Sequence, residues 1–247
     1  MIVRSTGALA LTACLLLFGG ACTAHEPDPP KAAEFITSGV CPGEEDLVAD
    51  ESLRDEGRLE GDVDGDGSND TIFLVRTRGE PDCSVFLVVE TDGGTLSAPA
   101  PPNEGSAALG LPSLTGFAQI DGEPGLEVYL TVLAGASTEF LSVFSAATGG
   151  LERLDREGGE AGGLFPSGGS VAHLEASDCR EEGGVVVSLA RQQDGGWAIV
   201  SNYYVSNGNS FVPADPSQGI TTDPVGRLRS WSEFRFTPFG SCPTSPE

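Results

Sequence analysis

The chain has 247 residues, of which 13 are basic and 37 acidic, so its formal net charge is −24. Hydrophobic residues make up 39% and charged residues 20%, a composition that excludes wholesale disorder and can bury a core. The acidic surface would repel phosphate backbones, which excludes nucleic-acid binding through a basic patch. The 34 glycines and 17 prolines favour short strands joined by turns over long helices.

Residues 1–21 are predicted to form an export signal. Arg4 supplies a positive charge, and the apolar centre between Ala8 and Phe18 is too short to span a bilayer. Gly19-Gly20-Ala21 then places small residues directly before Cys22. This resembles the lipobox of bacterial lipoproteins, which implies lipidation of Cys22 and a location on the outer face of the bacterial cytoplasmic membrane. The alternative is an ordinary cleaved signal and a secreted protein.

Residues 22–34 are polar and proline-rich, and they predict an extended tether between the anchor and a domain at 35–247. Within that domain, apolar strand-like runs and glycine turns recur with a period of about sixty residues. The repeats cover about 57–101, 115–155 and 170–214. Each repeat reads as a leading strand, an acidic loop, a second strand and a hairpin.

These repeats predict an all-β fold of four-stranded units that resemble propeller blades. Three units close a ring poorly, so strand-like stretches within 35–52 and 226–242 are expected to pair and add material for a fourth. The result would be a small or incomplete β-propeller. An open β-array or a sandwich is the alternative.

The first acidic loop carries the most specific chemical signal in the chain. Asp62, Asp64, Asp66 and Asp70 occupy positions 1, 3, 5 and 9 of a D-x-D-x-D-G-x-x-D pattern. Alternate carboxylates in a tight turn converge, and they repel one another unless a cation neutralises them. Hard oxygen ligands on a flexible loop suit Ca²⁺. A solvated acidic turn is the alternative, since Asp and Gly are common in turns.

An acidic loop that runs into a strand resembles the FG-GAP and VCBS repeats of cell-surface β-propellers, in which the loop binds calcium and braces a blade hairpin. The resemblance implies structural Ca²⁺ and these ligands: Asp62, Asp64, Asp66, the Ser68 carbonyl and Asp70. The second repeat aligns a weaker set, which makes it a weaker second candidate site: Gln119, Asp121, Glu123 and Glu127. The third repeat keeps only Asp178 of the pattern.

Four cysteines lie beyond Cys22, and in an exported chain an even number favours two disulfides. They are Cys41, Cys83, Cys179 and Cys242. Cys83 in a hairpin and Cys179 in a loop position would lie on opposite rims of a blade, which disfavours their pairing. Of the three connectivities, we therefore favour Cys41–Cys83 with Cys179–Cys242.

A catalytic constellation is not recognisable in the sequence. His173 is the sole histidine outside the tether, and the chain has no nucleophile-elbow, zinc-protease or phosphate-loop motif. Trp197, Tyr203 and Tyr204 could line a sugar-binding patch, although their alternation fits one face of an ordinary strand.

These observations predict a monomeric, non-enzymatic extracellular interaction module whose partner is an unidentified protein or glycan at the cell surface. The alternative is a surface hydrolase or carbohydrate-binding protein with a pocket at the mouth of a propeller. The two differ in whether carboxylates and aromatic side chains converge in one deep pocket.

Overall fold

The computed structural model describes residues 46–47, 54–77, 83–100, 109–146, 150–158, 162–180, 184–193, 196–224, 234 and 237–245. All of them belong to one unit, Phe35–Glu247. The expected all-β class is confirmed. The strands are β1 (Arg54–Gly61), β2 (Asp70–Arg76), β3 (Val85–Thr91), β4 (Gly94–Pro99), β5 (Ser113–Ala118), β6 (Glu127–Ala134), β7 (Thr138–Ser145), β8 (Glu152–Arg156), β9 (Phe165–Gly169), β10 (His173–Cys179), β11 (Val185–Gln193), β12 (Gly196–Ser206) and β13 (Ser210–Pro224).

The strands form two sheets. The first is an antiparallel meander in the order β1-β2-β3-β4, and the second has nine strands in the order β5-β6-β7-β8-β13-β12-β11-β10-β9. Strand β9 also pairs with the first half of β7, where Leu141 lies opposite Phe165. The second half of β7 pairs with β8, where Val143 lies opposite Leu154. The second sheet therefore curves back on itself and is partly ring-like.

Along the chain, the strands fall into three consecutive meanders, 54–99, 113–156 and 165–224. The first two contain four strands each, and the third contains five because β9 precedes the predicted leading strand. Strand β8 joins the third meander through a short parallel pairing of Asp155 with Ser210. This direct pairing between units makes the second sheet continuous, and their arrangement as propeller blades stays a prediction.

The main core lies between the two sheets. Ile72, Leu74 and Leu87 of the first sheet share one buried cluster with Leu130 and Phe144 of the second. The opposite face of β2 and β3 is buried too, in a cluster that contains Phe73, Val88 and Leu47. Because these strands are covered on both faces, their sequences are nearly continuous apolar runs.

A second core lies inside the curved sheet and is rich in aromatic side chains. The Phe165 ring lies 5.4 Å from that of Phe211 and 5.6 Å from that of Phe239. Cys179 and Cys242 form a disulfide beside them, as predicted. Cys83 is also disulfide-bonded. Its expected partner, Cys41, lies outside the described residues.

The predicted terminal strands lie largely outside the described residues. Asp46 and Leu47, expected to be part of a strand, are helical, so that part of the prediction is wrong. Leu47 is buried against β2 and β3 as a single apolar side chain, which does not require an alternating strand pattern. Cys22 and residues 1–34 also lie outside the described part. In the described residues, no helix is both long enough and apolar enough to cross a membrane.

Candidate metal centre

The first acidic loop connects β1 to β2. The two strands are antiparallel neighbours, and Gly61 lies opposite Asp70 where the loop begins and ends. Gly67 has φ of 90°, a conformation that favours glycine, and its amide donates a 3.0 Å hydrogen bond to Asp62 Oδ2. The chain therefore turns back sharply within the loop, which brings its alternate aspartates towards one point.

Each aspartate of the pattern accepts a backbone hydrogen bond. Asp70 Oδ2 accepts the amides of Val63 at 2.7 Å and Asp64 at 3.3 Å. Asp64 Oδ1 accepts the amide of Asp66 at 3.2 Å, and Asp66 Oδ1 accepts the amide of Ser68 at 2.7 Å. These bonds hold the carboxylates in fixed orientations, because each one joins a side chain to the backbone of the same loop.

Asp62, Asp64 and Asp70 form a cluster that could hold a metal ion. Each offers one carboxylate oxygen, and these three oxygens lie within 4.8 Å of one another. Asp62 is 6% exposed and Asp70 is 1% exposed. In the described part of the chain, Asp62 Oδ1 and Asp70 Oδ1 are buried and accept no hydrogen bond. Buried carboxylate oxygens without partners are costly, and a cation between them would remove that cost.

The electrostatic environment of Asp70 also favours a cation at this cluster. Burial raises the pKa of its carboxyl above the ordinary value, and the negative charges of Asp64 and Asp66 raise that pKa further. The amides of Val63 and Asp64 oppose this rise. The loop thus gathers negative charge that its own hydrogen bonds do not neutralise, and a bound cation would stabilise the ionised form of Asp70.

The remaining predicted ligands of the first site lie at its exposed side. Asp66 is exposed and is not a member of the three-residue cluster. Ser68 is partly buried, and ligation by its carbonyl stays a prediction. All the side chains of the cluster are carboxylates, a donor set that suits hard cations better than zinc or copper.

The second acidic loop repeats the hydrogen-bond pattern of the first. Glu127 Oε2 accepts the amides of Ile120 at 2.5 Å and Asp121 at 3.1 Å, as Asp70 does in the first loop. Asp121 Oδ1 accepts the amide of Glu123 at 2.8 Å, as Asp64 accepts that of Asp66. Three hydrogen bonds of the second loop therefore occupy the same positions as in the first loop.

The second loop nevertheless lacks the acidic cluster of the first, because Gln119 replaces the aspartate and donates its Nε2–H to the Glu123 carbonyl at 3.3 Å. Among the described residues, only the first loop has a cluster of three acidic, His or Cys side chains suited to a metal ion. Burial, together with the Asp121 carboxylate, raises the pKa of Glu127 to about 8. At neutral pH a proton therefore supplies much of the charge compensation in the second loop.

The two loops touch each other, which the sequence did not indicate. The Leu126 amide donates a 2.9 Å hydrogen bond to the Asp62 carbonyl. Gly125 has φ of 106°, and a Cβ at that position would clash with the Val63 carbonyl oxygen. The first acidic loop is therefore fitted closely against the second acidic loop.

A cleft of about 420 Å³ opens beside the first loop. Asp64 and Asp66 form one wall, and the turn between β3 and β4 forms another. The residues that complete the lining are Thr91, Gly93, Gly94, Thr95, Leu96 and Ala146. No pattern in the sequence pointed to this cleft, because it is assembled from three segments that are separated along the chain.

The third repeat departs from the predicted pattern. Asp178 lies within β10 opposite Val186, so the expected loop position is wrong. Its carboxylate accepts hydrogen bonds from the amide and the hydroxyl of Ser241, each at 2.8 Å. Asp178 is 3% exposed and connects β10 to the C-terminal segment, which leaves it unavailable for a metal site of the first type.

The candidate groups for other chemistry are dispersed. His173 Nδ1 lies 2.9 Å from Ser170 Oγ, and its Nε2 lies 3.5 Å from Thr138 Oγ1. Trp197 and Tyr204 are buried in two different clusters. Trp197 and Tyr204 therefore serve as core side chains of β12. The expected single buried face does not continue along the strand, because the register shifts between Ser201 and Tyr204 and leaves Val205 exposed.

Comparison with protein-family models, curated proteins and solved structures finds no match to this chain. The resemblance to calcium-loop repeats therefore stays a prediction that rests on the residues of the first loop. The structure shows a cluster of three aspartates in the first acidic loop. This loop is hydrogen-bonded to the second acidic loop and is bordered by an open cleft.

Proposed function

We propose that this chain is an exported, lipid-anchored, monomeric interaction module without enzymatic activity, whose β-domain is stabilised by Ca²⁺ at the first acidic loop. The observation that carries the metal assignment is the pair of buried carboxylate oxygens, Asp62 Oδ1 and Asp70 Oδ1, which converge with Asp64 and accept no hydrogen bond within the described residues. A hard cation satisfies both oxygens at once.

Calcium fits this loop better than magnesium. Ca²⁺ accepts six to eight oxygen ligands in flexible geometries, whereas Mg²⁺ requires a near-ideal octahedron and retains several waters. The proposed ligands come from one irregular loop and include a backbone carbonyl: Asp62, Asp64, Asp66, Ser68 (carbonyl) and Asp70. At the second loop, Gln119 and a largely protonated Glu127 leave too little negative charge for comparable affinity.

A structural role for the cation follows from its position. The loop joins two neighbouring strands and contacts the second sheet through the bond between Leu126 and Asp62. A cation here would fix the side of the loop that faces the other sheet. The export signal at 1–21, Cys22 and the tether at 22–34 support display of this domain outside the cytoplasmic membrane.

Thermal unfolding of the mature chain tests the metal assignment, with Cys22→Ser to keep it soluble. Calcium in hundredfold excess over its Kd should stabilise the protein by about 2.7 kcal/mol relative to chelator. Asp62→Asn should remove most of this shift, because it weakens a buried ligand. Glu152→Gln removes the same charge from an exposed position of β8 and should respond to calcium as the parent does.

Equal midpoints in calcium and in chelator for the parent protein would refute the calcium assignment. A shift of the same size in Asp62→Asn would show that calcium acts elsewhere on the acidic surface. The cleft beside the loop supports an interaction role for the domain as a whole, and it defines the surface on which a ligand is sought next.

A further inference from the structure

We propose that the cleft beside the first acidic loop is a calcium-dependent binding site for a neutral ligand with two adjacent hydroxyl groups, such as a hexopyranose. The inference rests on the calcium site of the proposed function and names the ligand class that this site would accept. It arises from the fact that Asp64 belongs both to the metal cluster and to the wall of the cleft.

The coordination of calcium leaves room for ligand oxygens on the side of the cleft. The chain offers one oxygen from each of five residues of the loop, whereas Ca²⁺ takes six to eight. Asp62 and Asp70 occupy the buried side, and Asp64 and Asp66 border the cleft. The coordination positions that remain therefore face the cleft, where adjacent hydroxyl groups of a ligand can replace water.

The size and lining of the cleft suit a small polyol. Its volume of about 420 Å³ falls within the range of small-molecule sites, roughly 300–1,000 Å³. Thr91 and Thr95 bring hydroxyl groups, and Gly93 and Gly94 bring exposed backbone. Leu96 and Ala146 supply an apolar patch, which can contact the C–H face of a sugar ring while the hydroxyl groups meet the polar wall.

Charge favours a neutral ligand over an acidic one. Four carboxylates around a divalent cation leave the site with a net negative charge, and no basic residue lines the cleft among the described residues. The whole chain adds a net charge of −24. A carboxylate or phosphate ligand would therefore be repelled, whereas hydroxyl oxygens coordinate calcium without adding negative charge.

Amide chemical shifts of the ¹⁵N-labelled mature chain with Cys22→Ser test this inference. The probes are methyl α-D-mannopyranoside and methyl β-D-galactopyranoside, which present adjacent hydroxyl groups in different arrangements. In calcium, at least one probe should shift the amides of Gly93, Gly94, Thr95 and Leu96, and in chelator neither should. Cyclohexanol, which has a single hydroxyl group, should leave these amides unchanged.

A matched pair of variants tests the wall of the cleft. Thr95→Val removes a lining hydroxyl that is not a calcium ligand, and should weaken binding of the active probe roughly two- to tenfold. Ser97→Ala removes a hydroxyl from the same strand outside the lining, and should bind as the parent does. Calcium should stabilise both variants against thermal unfolding as much as it stabilises the parent.

The outcomes separate the inference from the function on which it rests. Calcium stabilisation without shifts from either glycoside would overturn the ligand site and leave the metal assignment standing. Equal glycoside shifts in chelator, or unchanged affinity in Thr95→Val, would also overturn it, because the cation or the wall would then have no part in binding. Absence of calcium stabilisation would refute both proposals.

Discussion

Asp70 and Glu127 occupy the same position in two loops, and each accepts two backbone amides in the same way. They differ in the hydrogen bonding of the second carboxylate oxygen. Asp70 Oδ1 has no hydrogen-bond partner within the described residues, whereas Glu127 Oε1 lies 3.5 Å from the Ser145 hydroxyl. Asp70 and Glu127 thus share the same pattern of amide donors and differ in the hydrogen bonding of their second carboxylate oxygen.

The raised pKa of Glu127 predicts a particular dependence of stability on pH. Its pKa is 4.5 in the unfolded chain and about 8 in the fold, where burial is the main cause. The contribution of Glu127 to the free energy of unfolding is therefore full below pH 4.5 and is lost as the pH rises towards 8. Glu127→Gln cannot ionise, so its unfolding free energy should fall less than that of the parent protein over this interval.

Urea unfolding in chelator, at several pH values between 4.5 and 8, measures this difference. Glu152→Gln, at an exposed position, serves as the control and should follow the parent. Parallel profiles for Glu127→Gln and the parent would contradict the raised pKa, since the buried carboxyl would then titrate as it does in the unfolded chain.

At the scale of elements, the two acidic loops form a contact that connects the two sheets. Each loop connects the first two strands of its meander, and the Leu126 amide bonds to the Asp62 carbonyl. Val63 follows Asp62 and is buried in the cluster that both sheets share. The aspartate cluster and the packing of the two sheets are therefore connected through two consecutive residues, Asp62 and Val63.

Gly125→Ala should disrupt this contact between the two acidic loops. The backbone at this position has φ of 106°, and the added methyl group would meet the Val63 carbonyl oxygen. We expect a loss of about 1–3 kcal/mol of unfolding free energy and weaker calcium binding. Gly122→Ala is the matched control, because φ is 83° there and no atom lies within 4 Å of the new Cβ.

Urea unfolding and calcium titration of both variants separate backbone strain from the contact between the loops. Gly122→Ala should show the strain alone and keep the calcium affinity of the parent. Equal losses in the two variants would mean that the contact with Val63 makes no contribution of its own.

At the scale of the whole molecule, a C-terminal segment closes the second core. The Phe239 amide donates to the Ser177 carbonyl at 2.9 Å, and the Gln119 amide donates to the Pro243 carbonyl at 2.8 Å. The disulfide between Cys179 and Cys242 spans 63 residues of sequence. The segment thus connects β10 to the beginning of the second acidic loop.

Replacing both Cys179 and Cys242 with Ser should lower the unfolding free energy by about 2–4 kcal/mol, because the unfolded chain regains the freedom of a long loop. Urea unfolding of the double variant measures the loss. Ser241→Ala, which removes only the hydroxyl bond to Asp178, should cost less. An unchanged midpoint in the double variant would show that packing of Phe239 holds the segment without the disulfide.

Several features of the fold could be predicted because they depend on local patterns. Alternate aspartates around Gly67 define a turn that gathers carboxylates, and the copy from Gln119 to Glu127 adopts the same hydrogen-bond pattern. The leading strand, acidic loop and hairpin of the first two repeats were recognisable from turn residues and apolar runs. The pairing of Cys179 with Cys242 was favoured because a bond between Cys83 and Cys179 was disfavoured, although Cys179 lies at the end of β10 and not in a loop.

The sequence by itself determined an all-β chain, the acidic loop with its potential ligands, and the duplicate that lacks one of them, since each depends on residues close along the chain. Only the tertiary structure decided that β8 and β9 pair with the same edge of β7. It also decided that Leu126 contacts Asp62, and that Ala146 borders a cleft next to Asp64. Those contacts join distant segments, and they depend on how the sheets curve and pack, which no local pattern encodes.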